Sequence, residues 1–324
     1  IPRFNKFLQG YYDDGGIIKE SFDAIVQGDR LSPEMAARGM RLDREVQPTI
    51  FYIGFNMDDP VLGSKGGEKA RKLRQAMSLV IDTEQYLKLF LNGRGVAAQS
   101  PLPPGLFGYD PAYRNPYRQV DVERARALLA EAGYPDGRDA ETGEPLILYF
   151  DGYDSFQRAR LELLVKQLAR IGVQLVPRLT EWNRFQEKHR KGNAQMSFWG
   201  WNADYPDPEN FLFQYYSKNG KVRFQGENVT NYDNPEFDAL FEEFRGMDID
   251  ADRQPVIDRM VELLRHDAPL LGGWNNEAFQ LSHEWLGNTK PGKVIHTYRK
   301  YYSLDVARRD ALREQWNRPA LWPL

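Results

Sequence analysis

Residues 146–177 constrain the fold more than any other stretch, because they read as strand, helix and strand with little connecting chain. LILYF at 146–150 is a short apolar run of β-forming residues. Residues 155–170 place Leu161, Leu164, Val165 and Leu168 on one helical stripe, and VQLVP at 173–177 returns to an extended run. A strand joined to a strand through a helix crosses over right-handedly and pairs in parallel. Residues 182–190 read as a further helix ending near Gly192. A third strand then carries Met196, Phe198, Trp199 and Trp201, interrupted by Ser197 and Gly200, and Pro206 and Pro208 forbid its continuation. The implied class is α/β, with an open, mostly parallel sheet flanked by helices.

Such sheets bind ligands beyond the carboxyl ends of their strands, which here are the loops 151–154 and 202–209. The second loop holds three carboxylates, Asp204, Asp207 and Glu209, within six positions. It also follows two tryptophans and contains Tyr205. Aromatic rings supply rigid area and a carboxylate receives a cation, so Trp201, Asn202, Asp204 and Tyr205 are candidate binding residues. The plainer alternative is an Asx and proline turn on the surface. Arg158 falls in the first turns of the helix leaving the 151–154 loop, and a guanidinium at a helix start suits an anion. Together they describe a ligand with charges of both signs, such as a peptide or amino-acid derivative. A carbohydrate-active enzyme is the competing reading, with Asp204, Asp207 and Glu209 as paired carboxylates and Trp199 and Trp201 stacking on sugars. Glycoside hydrolysis needs two carboxyls across one bond, usually from different strands, and a cluster in one turn supplies that poorly.

The remaining chain fills out the same architecture. TIFYIGFNM at 49–57 reads as a central strand, and 68–81 as an amphipathic helix. Asp82 is placed to cap the next helix, with Gln85 in the reciprocal position and Tyr86, Leu89 and Phe90 as its buried stripe. Asp121 caps another, Pro235 starts one with Phe237, Leu240, Phe241 and Phe244 inward, and 253–265 continues as a further helix. Near the start, Ile17, Phe22 and Ile25 share a helical face ended by Gly28. Residues 268–271, 277–281 and 298–302 read as short strands, and a helical stretch from 305 leads to RPALWPL, which orders if Leu321 and Trp322 find a groove.

Several chemistries are disfavoured. His189, His266, His283 and His296 show no paired spacing, so each is expected on the surface or at a cap, and no metal site is expected. Glycine-rich phosphate loops and G-x-S-x-G elbows are missing from the sequence, and no cofactor is expected. Cysteine is absent, which removes disulfides, thiolate metal sites and a cysteine nucleophile. A formal net charge of -3 gives no basic excess for nucleic acid. The sequon at Asn228 reads as chance, and no apolar run reaches the roughly 18 residues of a membrane span. The chain opens at Ile1 with neither methionine nor signal peptide, so processing or an upstream portion is expected.

Several segments, in one order, carry a family resemblance: LQGYYDDGGIIKESFDAIVQG, then YIGFNM followed by LRQAMSLVID, then GRGVAAQSPLPPG, VDVERARALLAEAGYPDG, and WGWNADYPDPENFLFQYYS followed by NYDNPEFDAL. They resemble the C-terminal portion of the oligopeptide- and dipeptide-binding family of periplasmic solute-binding proteins of ABC transporters, over nearly the whole chain. The resemblance implies a periplasmic-binding-protein type II lobe plus part of a second lobe. Residues 1–48 would belong to the first lobe, 49–272 to the second, ligand-binding lobe, and 273–324 to a return to the first lobe and a tail. It implies a periplasmic receptor without catalysis that closes on a small peptide-like or other polar ligand and delivers it to an ABC permease. An upstream chain or segment would complete the first lobe. Relatives take peptides, nickel complexes, opines and sugars. By this resemblance Asp204 receives the ligand's amino terminus and Arg158 its carboxylate, in an alignment that can slip to Arg160. Trp201, Asn202, Tyr205 and Asn56 carry over as cleft or hinge residues.

Overall fold

The computed structural model describes residues 2–154, 157–289, 294 and 298–317. The readings made at Ser155, His296, Leu321 and Trp322 lie outside them. The chain forms two compact units, one of Pro48–Tyr86 and Val96–Asn276, the other of Ile1–Gln47, Leu87–Gly95 and Glu277–Leu324.

In the larger unit the crossover strands pair as their connections require. Ile147–Tyr153 runs parallel to Gln174–Thr180 along its whole length and meets Met196–Asn202 in parallel at Phe150 and Met196. The other neighbours run the opposite way: Thr49–Phe55 is antiparallel to Met196–Asn202, with Thr49 opposite Asn202 and Phe55 opposite Met196. The start of Leu270–Ser282 is antiparallel to Thr49–Phe55 in turn. The α/β class therefore holds with a mixed sheet, because only three of its strands are joined by helical crossovers. The register shifts between Leu271 and Trp274, where Gly272 and Gly273 have φ of 64° and 146°, a backbone that side-chain-bearing residues rarely adopt. Pro177 is tolerated because its strand is an edge.

Both crossover strands run further than their apolar sequences. Asp151 is within the strand, not in a loop, and is fully buried. Its carboxylate takes Arg178 Nη2 at 2.6 Å and Lys188 Nζ at 2.8 Å and accepts the Gln195 amide at 3.1 Å, which compensates the burial of its charge. Arg158–Ala169 buries Leu161, Leu164 and Leu168 as its periodicity requires. Two helix caps are those expected, Asp82 accepting from the Gln85 amide at 2.8 Å and Asp121 from that of Arg124 at 3.0 Å, and Asn234 adds a third before Pro235 by accepting from the Glu236 and Phe237 amides. Pro235–Arg245 and Arg253–Asp267 follow, the first burying Phe237, Phe241 and Phe244.

His189 is an exception to the surface expectation. It is buried between Trp182–Arg190 and the sheet, its Nδ1 2.9 Å from the Phe185 carbonyl and its Nε2 2.8 Å from Ser197 Oγ. Burial lowers its pKa, and the Phe185 hydrogen bond opposes that shift. His266 is exposed, as expected, beside Asp267 at 2.9 Å. Asn228 is fully buried and donates to the Tyr216 and Tyr232 carbonyls, so its sequon cannot carry a glycan in the fold.

The smaller unit has its own core, which includes Phe4, Phe7, Ile17, Phe22, Ile25, Met35 and Leu281. Ile17, Phe22 and Ile25 are buried, though not by one helix. A 3-10 turn at Lys19–Ser21 and a single helical turn at Phe22–Ile25 lead into a hairpin of Val26–Gln27 with Arg30–Leu31, turned at Gly28 with φ 65°. β-branched Ile25 and Val26 next to a left-handed glycine favour that turn over a continued helix. The two short strands expected at 268–271 and 277–281 are one, Leu270–Ser282, whose end pairs antiparallel with Arg41–Val46 and Asp14–Gly16. Tyr298–Tyr301 is a 3-10 turn in place of the expected strand, and the pairing segment is Ser303–Leu304. Leu89 is 51% exposed, and Leu87 takes the buried place expected of it. His283 is also fully buried, stacked between Phe7 at 4.4 Å and Trp285 at 4.1 Å, and not at the surface. Among the described residues no helix is long and apolar enough to cross a membrane.

Candidate functional site

The strand Met196–Asn202 delivers the acidic loop, and its three carboxylates have different surroundings. Asp207 is held by Arg253, with Nη1 to Oδ2 at 2.7 Å and Nη2 to Oδ1 at 3.1 Å, while the same guanidinium lies 4.0 Å over the Phe244 ring. Asp207 also accepts the Glu209 amide at 2.8 Å, which fixes the turn into the short helix Glu209–Leu212. Glu209 accepts from the Tyr205 hydroxyl. Burial and that carboxylate push the Tyr205 phenol up to about 12, so it remains a donor at neutral pH.

Asp204 is exposed, and no cation pairs with it among the described residues. Its position is nevertheless fixed. Buried Asn210 accepts from the Asp204 amide at 2.7 Å and from Trp201 Nε1 at 3.2 Å, and its Nδ2 reaches Asp204 Oδ2 at 3.4 Å. The loop therefore presents one carboxylate without a cation on an anchored scaffold. The paired-carboxylate reading fails here, since Asp207 is committed to Arg253 and Glu209 to Tyr205. Asn202, opposite Thr49 in the ladder, is exposed, and Trp201 is half-buried with its ring against Phe213 at 5.1 Å.

An aromatic pocket of about 810 Å³, counting its open mouth, lies in the same unit near the carboxyl ends of these strands. Phe51, Phe198, Trp199 and Trp274 line it from the sheet, Trp182 from a helix start, and Tyr153 and Tyr86 close its sides. Phe51 and Trp274 stack at 5.6 Å, and Tyr153 meets Trp182 edge to face at 4.7 Å. Gly200 is required beneath this stack, because a Cβ there would lie 2.3 Å from the Phe51 ring. Two polar groups face the rings. Arg160 has its guanidinium 5.8 Å from the Tyr86 ring centre, and Gln157 Oε1 is buried with no hydrogen-bond partner among the described residues.

The other candidates separate from this pocket. Arg158 borders a different, open groove with Tyr153, Asp154, Thr180 and Trp182, and Arg160, the slipped alternative, is the arginine that shares space with the tryptophans. Asn56 stands at the far end of the strand pair, beyond Phe55 and Met196. It is buried, donates to the Gly192 carbonyl at 3.1 Å and accepts from Asn231 at 3.1 Å and the Asp58 amide at 3.2 Å. Its side chain closes a loop in the interior and does not join Asp204. Residue-type reasoning missed Phe51, Tyr86, Tyr153, Gln157, Trp182 and Trp274. Their trace in the sequence is aromatic residues at strand and helix ends, which means little until the strand order is known. No group of acidic or histidine side chains suited to a metal occurs among the described residues.

Comparison with known proteins agrees with this architecture. Heme-binding protein A of Haemophilus influenzae is 28% identical over 221 residues, 68% of this chain and 38% of that protein. The dipeptide-binding protein of Escherichia coli is 27% identical over 223 residues, 68% of this chain and 39% of that protein. The chain thus spans about two fifths of the length of these relatives, both of which are named as binding proteins rather than enzymes. An ABC transporter-associated periplasmic binding protein from Helicobacter pylori, solved with the peptide STSA, superposes with a TM-score of 0.73 at 19% identity. That match covers 94% of this chain and 55% of that one. The profile of the bacterial extracellular solute-binding proteins, family 5 middle, matches residues 2–222. That match takes in the strands from Thr49–Phe55 to Met196–Asn202, the crossover helix and the acidic loop, and the chain belongs to the family 5 bacterial extracellular solute-binding proteins.

Proposed function

We propose that this chain is the ligand-binding part of a periplasmic or extracellular receptor that captures a small peptide-like ligand for an ABC permease. The observation that carries the reading is the aromatic pocket, in which rings are combined with Arg160 and the unpartnered Gln157 Oε1. Rings take an apolar side chain, a guanidinium takes a carboxylate, and a buried amide oxygen takes an N–H. Asp204, exposed without a cation, supplies the complementary site for an ammonium. Trp201, Asn202 and Tyr205 border that loop, and Arg158 is a second, weaker candidate for the carboxylate. The smaller unit is then part of a first lobe that an upstream segment completes, a reading supported by the coverage of the relatives, and the larger unit, which contains Trp274 and the rest of the pocket lining, is the second lobe.

Calorimetric titration with a dipeptide, its N-acetylated form and its C-terminal amide tests the reading. The unmodified dipeptide should bind. Acetylation or Asp204→Asn should each weaken it by about 2 kcal/mol, without further loss when combined. Amidation and Arg160→Gln should form a second such pair. Equal affinity for all three compounds would remove the charge assignment. Because one relative is named for heme, titration with heme is the parallel arm, and saturable heme binding without dipeptide binding would replace the peptide reading.

A further inference from the structure

A second pocket in the larger unit, about 410 Å³ with its mouth, is walled by the proline-rich segment around residues 99–118 and by the helix Arg253–Asp267. Its lining includes two arginines, Arg118 and Arg265, with Tyr113 beside them, and contains no aspartate or glutamate. Arg118 Nη1 and Tyr113 OH are buried without hydrogen-bond partners among the described residues, and so is the hydroxyl of the fully buried Tyr215. Glu262 reaches Arg265 only at 3.9 Å, with half its side chain exposed. The pocket's serine hydroxyls are already used, Ser78 by the Arg74 carbonyl and Ser100 by that of Leu102.

Arg118 is half-buried, and a guanidinium nitrogen that is buried without a partner, as its Nη1 is, is costly and is normally met by a carboxylate or another acceptor. Here burial lowers the Arg118 pKa to about 10, which still leaves it charged at neutral pH. Burial raises Tyr113 and Tyr215, keeping both as phenol donors, while Arg265 and then Arg118 moderate the rise at Tyr113 and Arg118 moderates it at Tyr215. The two guanidinium groups offer only donors, and the amide oxygens of the lining are already bonded, Gln99 Oε1 by the Asn115 amide at 3.1 Å and Asn115 Oδ1 by that of Tyr117 at 3.0 Å.

We propose that this pocket binds a small tetrahedral oxyanion of the size of phosphate or sulfate, held by Arg118 and Arg265 with the Tyr113 hydroxyl. The anion would neutralise Arg118 and tie the proline-rich segment to the helix Arg253–Asp267. Inorganic phosphate titrated into the full chain, against chloride at matched ionic strength, tests it by calorimetry and by thermal melting. The expected result is saturable binding and a rising melting temperature with phosphate, both abolished by Arg118→Gln. Tyr113→Phe should weaken binding about tenfold by removing one donor. Where Arg118→Gln does not fold, Arg265→Gln and Tyr113→Phe decide, and unchanged phosphate affinity in both would overturn the proposal. A response equal to that of chloride would overturn it too, leaving water as the occupant.

Discussion

Asp204 and Asp207 lie three positions apart, carry the same group and have different roles. Asp207 neutralises an arginine whose side chain is 5% exposed, so removing it strands a charge. Asp207→Ala should therefore lower stability in urea by about 3 kcal/mol. The double replacement of Asp207 and Arg253 by leucine and methionine should recover most of that loss, because no buried charge is then left unpaired. Asp204→Asn should leave the urea midpoint within about 0.5 kcal/mol of the parent. The sequence showed the acidic cluster and could not sort its members, since the partner Arg253 is 46 residues away. Arg158 and Arg160 present the same difficulty. Two residues apart on a helix they face nearly opposite ways, and Arg160 shares its face with Leu163, Leu164 and Gln167. Choosing between them requires knowing which helix face meets the sheet, and the apolar stripe alone left that open.

At the scale of elements, capped and periodic segments were legible and charge-compensated ones were not. Asp82, Asp121 and Asn234 mark helix starts through local hydrogen bonds that lie within a few residues. Asp151 sits mid-strand only because Arg178 and Lys188 come from the next strand and helix, which local patterning cannot foresee. The helix Val306–Asn317 shows the same dependence on distant partners. None of its residues is buried, and it is held through Trp316 beside His283 and Trp285, with Arg308 paired to Glu284 at 2.6 Å. His283 Nε2–H donates to the Phe7 carbonyl at 2.9 Å. Desolvation pushes its pKa down to about 4, opposed by that hydrogen bond, while Arg38 lowers it and Asp13 and Glu284 raise it. Above pH 6.5 the ring is neutral in both folded and unfolded chains. As pH falls from 6.5 to 4 only the unfolded chain gains the proton, so stability declines, by about 2 kcal/mol once screening is allowed for. Urea midpoints measured across that range should show this slope, and His283→Phe should flatten it. An unchanged slope in the variant would place the acid sensitivity elsewhere.

At the scale of the molecule, the two units have separate cores of different size. The smaller one rests on a cluster around Phe4, Phe7, Phe22 and Leu281, whereas the larger spans most of residues 48–276 and holds the candidate ligand pocket. Buried fraction rises with size, so the smaller unit should be the less stable of the two. Calorimetric unfolding should then depart from two-state behaviour, with a first transition from the smaller unit and a second from the larger. A ligand stabilises whatever folds around it by RT ln(1 + [L]/Kd), about 2.7 kcal/mol at a hundredfold excess over Kd. Dipeptide bound by the larger unit alone should therefore raise the second transition and leave the first in place. Raising both would mean that the smaller unit contributes to holding the ligand. A single transition, with equal calorimetric and van't Hoff enthalpies, would show that the two cores unfold together and that neither is an independent element of stability.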